Sequence, residues 1–247
     1  MEPTTTTPSL GSPVLQRTGM RTDAWWMQPL LVVTALTAFG VYTFWAAWQN
    51  AHFRYEAGGA HYLSPFYSPY IPESFLVSIG LPREGIFHNL LSPAFFILWM
   101  PLVFRATCYY YRKSYFRSFF ADPLACAVRE PKKGNYKGET GLFVLNNLHR
   151  YALYLAIFVV VVLWWDTIVA FTWRDEATGA LEFGVGVGTL VLLLNVVLLS
   201  AYTFGCHSFR HIVGGQLDCF SCENFNQERY KWWRSVTSLN KNHMLWA

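Results

Sequence analysis

The sequence is short of charge. Only 14% of its 247 residues are Asp, Glu, Lys or Arg, against about 25% in a soluble domain. That shortfall argues against an ordinary water-facing enzyme surface. The chain has no glycine-rich phosphate cradle and no nucleic-acid signature, which sets aside soluble nucleotide-dependent and DNA-binding readings. It also lacks an inverted repeat or paired broken helices, the marks of many transporters. Cysteine is sparse and odd in number: five residues do not make the paired framework of a small secreted domain. A reducing compartment, with thiolate ligands or inert thiols, fits better.

Apolar and aromatic residues fill the space that charge leaves. Hydrophobic residues make up 53% of the chain, aromatic residues 18%, and there are 11 tryptophans. A helix needs about 20 apolar residues to cross a bilayer, and four segments qualify: Trp25–Trp48, Ile86–Tyr109, Leu148–Trp173 and Glu182–Gly205. The expected fold is therefore an all-α integral membrane bundle of about four transmembrane helices. The aromatic 49–85 connection leaves room for a fifth re-entrant or interfacial helix. The domain reading is a flexible tail over 1–24, a helical bundle over 25–205 with a basic loop at 105–140, and a Cys/His-containing segment over 206–247. Of the 19 lysines and arginines, only Arg54, Arg83 and Arg174 fall on the far side of this topology. The positive-inside rule then puts both termini in the cytoplasm of a multi-pass protein.

With the spans placed, all five cysteines lie at or beyond the cytoplasmic interface, and His149, His207 and His211 share that level. The densest cluster is CHSFRHIVGGQLDCFSC over 206–222. His207 and His211 are four apart and share a helix face. Gly214 and Gly215 then break the helix. Cys219 and Cys222 form a C-x-x-C knuckle able to place two thiolates on one metal. These four residues could hold a structural zinc or a Rieske-type [2Fe–2S] centre, or could be ordinary thiols and interfacial histidines. Cys126, Cys206 and His149 are alternate ligands. A single b-type haem between His149 and His207 or His211 is a further reading. Asp166 and Asn195 are polar groups within the spans.

The stretches LHRYALY (148–154), FGCHSFRHIVGG (204–215) and DCFSCENFNQERYKWW (218–233) resemble the membrane anchor of actinobacterial succinate dehydrogenases, the haem-less class found in mycobacteria. The resemblance covers roughly residues 25–247. It implies an anchor in the bacterial inner membrane that takes electrons from a flavoprotein and an iron–sulfur subunit and reduces menaquinone. It also implies a Rieske-type cluster where other anchors hold haem, although the two C-x-H/C-x-x-H boxes of soluble Rieske proteins are missing. On this reading His149, Arg150, Tyr151, Trp232 and Trp233 are candidates for the quinone pocket. Arg112, Lys113, Tyr115 and Arg117 are candidates for docking the soluble partners, or for holding lipid phosphates. The competing reading is a membrane scaffold or assembly protein with a structural zinc.

Overall fold

The structure, a computed structural model, describes residue 24 and residues 26–80, 92–120, 143–175, 177–215 and 224–246. The tail before Ala24, most of the basic loop, and Cys126, Cys219 and Cys222 lie outside the described residues. Helix α1 (Met27–Gln49) is an uncharged apolar run that ends where Asn50 takes a left-handed conformation, φ 47°, which asparagine tolerates. Ala47 is its only buried residue. Its 23 residues span about 34 Å at 1.5 Å per residue, and so cross the hydrocarbon with their surface facing lipid.

Three further helices form the bundle. Helix α3 (Pro93–Thr107) starts with proline in its first turn, where the missing N–H costs nothing. Helix α5 (Phe143–Val169) is the long central element, and α6 (Val187–Phe204) returns beside it. α5 packs on both α3 and α6. Ala152, Leu153, Ala156, Val159, Val160 and Leu163 are buried along it; the two alanines allow the close backbone approach that helices in lipid use in place of hydrophobic drive. Among the described residues, three helices, α1, α5 and α6, are long and apolar enough to cross a membrane; α3 is a shorter apolar helix. The remaining described helices are α2 (Glu73–Ser78), α4 (Tyr109–Phe120), α7 (His207–Gly214) and α8 (Asn224–Lys241).

The structure corrects the sequence reading at one end of the bundle. In the 49–80 stretch, where a fifth re-entrant or interfacial helix was allowed for, the α-helix is the six residues of α2. The stretch forms a hairpin, β1 (Arg54–Ala57) with β2 (Ala60–Leu63), then a 3₁₀ turn at Pro65–Tyr67 and the short α2. The third span stops at Val169 rather than Trp173, and the fourth starts at Val187 rather than Glu182. Between them lies a second hairpin, β3 (Thr172–Arg174) with β4 (Leu181–Phe183). The Arg174 N–H donates to the Gly59 carbonyl at 2.9 Å and ties the two hairpins together. Gly59 has φ 78°, and a side chain there would run into the Arg174 carbonyl, so only glycine fits. Ser68 donates to the Asp166 carboxylate, giving that intramembrane acid its partner.

Leu153 is fully buried where α5 meets its neighbours, whereas Tyr151 on the same helix is 70% exposed. Leu153→Ala is expected to cost about 2–5 kcal/mol and to lower the thermal transition of the detergent-solubilised protein. Tyr151→Ala is expected to leave that transition nearly unchanged.

Candidate functional site

At the opposite end of the bundle the helices break, and cysteines sit at the breaks. Helix α3 ends at Cys108, whose extended backbone (φ −63°, ψ 125°) separates it from α4. Helix α6 ends at Gly205, and Cys206 (φ −64°, ψ 143°) caps the separate helix α7, its sulfur accepting from the Ser208 N–H at 3.4 Å. The fourth span therefore does not continue through His207. It stops, and a new helix begins there.

Two histidines meet these cysteines. His149, near the start of α5, places Nε2 3.0 Å from Cys206 Sγ and Nδ1 3.0 Å from Thr107 Oγ1. The Thr107 hydroxyl lies 2.7 Å from the Val103 carbonyl, which can only accept, so the hydroxyl proton goes there. His149 Nδ1–H then donates to Thr107, and the Nε2 lone pair faces the sulfur. His243, in the turn after α8, places Nε2 3.6 Å from Cys108 Sγ. Its Nδ1 is buried with no hydrogen-bond partner. All four residues are buried: Cys108 2%, Cys206 1%, His149 6% and His243 2% exposed.

Aromatic rings hold the imidazoles in place. Phe104 stacks on His149 at 4.6 Å and Tyr202 stacks on His243 at 4.6 Å. Burial pushes the Cys206 thiol up to about 11 and raises that of Cys108, with the Arg112 guanidinium opposing the rise at Cys108. Burial also drives His243 down to about 4. Without a bound cation these three groups are neutral near pH 7. Cys108, His149 and Cys206 line one cavity of about 350 Å³ together with Thr107, Tyr109 and His207. Among the described residues, no three His, Cys, Asp or Glu side chains close on a single point as the ligands of one mononuclear ion do.

The sequence candidates fare unevenly. Cys206 and His149, named as alternates, are brought together. His207 and His211 do share a face, with their Nε2 atoms 3.1 Å apart, but both are exposed and neither bonds to a described cysteine. His149 turns Nε2 to Cys206 rather than to either of them, so the haem pairing finds no support in the geometry. Cys219, Cys222 and Cys126 lie outside the described residues. Cys108 and His243 were not among the sequence candidates, although Cys108 stands at a span end as Cys206 does; the structure brings them together 3.6 Å apart.

The proposed quinone residues do not converge. His149 points inward, while Arg150 and Tyr151 beside it face out, since successive helix positions are about 100° apart. Trp232 is 67% exposed, whereas Trp233 packs under the Arg210 guanidinium, 4.2 Å from its ring centre. Among the docking candidates, Lys113 is exposed and Arg117 half-buried, and Tyr115 accepts from Arg105 Nε at 3.2 Å. Arg112 is a correction: it is 3% exposed and donates to the Thr107 carbonyl, so it belongs to the interior rather than to a docking surface.

Another cavity, of about 270 Å³, has Phe104 and Tyr202 in its lining. Pro101, Val160, Leu198 and Leu199 form much of its wall, and Arg105, Asn195 and Trp246 supply polar groups.

The profile of the actinobacterial succinate dehydrogenase subunit SdhC matches residues 27–247. Among solved structures, the chain is similar to one in the Mycobacterium smegmatis Sdh1 complex in the apo form, with a TM-score of 0.74 and 39% identity, covering 93% of this chain and 83% of that one. No curated protein matches the sequence.

Burial leaves a measurable trace at the two described cysteines. Maleimide labelling of the folded protein, read by peptide mapping, is expected to spare Cys108 and Cys206, and to modify both once the protein is unfolded in detergent and chelator.

Proposed function

Because the chain belongs to the actinobacterial succinate dehydrogenase subunit SdhC family, and is thus the membrane subunit of that enzyme, we propose that it delivers electrons from flavoprotein and iron–sulfur partners to a membrane quinone, menaquinone in the class it resembles. We assign Cys108, Cys206, His149 and His243 as the residues that hold a Rieske-type [2Fe–2S] cluster. The observation that carries this reading is the buried quartet itself. Two thiols and two imidazoles are the donor set such a cluster takes; here each imidazole lies beside one thiol, His149 with Cys206 and His243 with Cys108, so the side chains must regroup as two thiolates on one iron and two imidazoles on the other. When bound, the cluster supplies a one-electron carrier beside the membrane, and its positive irons offset the burial penalty on two thiolates.

The chain's own residues prepare that site. Thr107 fixes the His149 tautomer, as outer-shell partners of metal-bound histidines do. Arg112 brings buried positive charge beside Cys108, favouring thiolate. Phe104 and Tyr202 stack on the imidazoles and also line the 270 Å³ cavity. That cavity has the form of a small-molecule pocket: mostly apolar, with a few placed polar groups. It replaces the residues first considered for the quinone headgroup, with Arg105 and Asn195 able to donate to its carbonyl oxygens. Arg105 is held by Tyr115 and lies 4.4 Å from the centre of the Tyr111 ring. By the charge bias of the sequence, Lys113 and Arg117 face the cytoplasmic partners.

Iron, acid-labile sulfide and EPR spectra of the purified complex test the assignment. An extra Rieske-type signal is expected beyond the clusters of the soluble subunits. Zinc in its place, or no added iron, would overturn it. His149→Ala with His243→Ala is expected to abolish quinone reduction while succinate-driven dye reduction survives. Val160→Phe, which fills the second cavity, is expected to lower kcat/KM for quinone by about tenfold or more with the EPR signal retained.

A further inference from the structure

The exposed imidazole pair on α7 is not used by this reading. His207 and His211 lie four residues apart on a helix held from its other side: Ser208 and Gly214 are buried, and Gly214 abuts the Trp233 ring. The helix starts on the Cys206 cap and stops at Gly215 in a left-handed conformation, φ 68°, so its eight residues are pinned at both ends. The nearby Arg210 charge is held over Trp233. The two Nε2 atoms converge to 3.1 Å, with the rings almost perpendicular at 88°.

We propose that His207 and His211 form a two-imidazole chelate for a divalent transition ion of the Zn²⁺ class, separate from the buried quartet. Two Zn–N bonds of about 2.0–2.1 Å at a tetrahedral angle put the nitrogens roughly 3.3–3.4 Å apart, close to the separation seen here. Imidazole suits zinc, copper and nickel, whereas magnesium and calcium prefer oxygen donors. Water completes the coordination, because both rings are exposed. His207 also lines the cavity that Cys108, His149 and Cys206 share, so an ion here sits at the mouth of that cavity. Binding does not depend on a cluster being present.

The test is equilibrium dialysis of the intact, chelator-washed complex against Zn²⁺, with bound metal read by mass spectrometry and sulfide measured on the same sample. One exchangeable zinc per chain is expected, undisplaced by excess Mg²⁺. His211→Gln, an exposed substitution, is expected to weaken that binding by at least about tenfold. Equal binding in the variant and the parent, displacement by Mg²⁺, or no exchangeable zinc would overturn the proposal. If the variant fails to assemble, Cu²⁺ EPR of the parent complex decides: two coupled nitrogens support the chelate, and any other number overturns it. Loss of the sulfide signal with zinc binding intact would count against the cluster and leave the chelate standing.

Discussion

In hydrocarbon, a backbone that leaves the helix must find other partners for its polar groups, and the rest of this structure depends on where the chain does so. At one end, the breaks are absorbed by two hairpins that pair internally and then with each other. At the other end, the breaks fall at Cys108 and at Gly205–Cys206, and there the chain turns from lipid-facing helix to a buried cluster of thiols and imidazoles. A helix that simply continued would have carried these side chains around its own axis. Stopping it lets Cys108, His149 and Cys206, from three parts of the sequence, line one cavity, with His243 against Cys108 beside it.

The arrangement also explains why aromatic residues gather at this end. Imidazoles and thiols in a dry interior need close neighbours. Phe104, Tyr111 and Tyr202 supply them with ring contacts, and Phe104 and Tyr202 also line the neighbouring cavity. Packing and function draw on one set of side chains. A change at Phe104 or Tyr202 would therefore be felt both in stability and at the site.

Much of the architecture was legible in the sequence, because lipid imposes a simple rule on composition: long apolar runs became α1, α5 and α6. The hairpin ends were not legible. Trp173 and Glu182 sit in stretches apolar enough to extend a span, and only the pairing of Arg174 with Gly59 shows why they do not. The candidate site was legible only in part: Cys219 and Cys222 lie outside the described residues, and the buried quartet joins residues far apart in the chain. His207, His211, Cys219 and Cys222 form an attractive spacing, but spacing reports neighbours along the chain. Cys108, His149, Cys206 and His243 are set by tertiary breaks that no local pattern encodes. Cys206 and His149 came within reach because each marks a span end; His243 had no such marker.

His243 lies beyond the last helix, while Cys108 closes the first helix of the central bundle. The donor quartet thus draws on four successive stages of the chain as it leaves the ribosome. Cys108 and Cys206 emerge with their membrane helices, but the pocket is not closed until α8 has folded back and carried His243 to Tyr202. Assembly of this buried quartet is therefore a late event in the folding of the chain, complete only once the bundle is built.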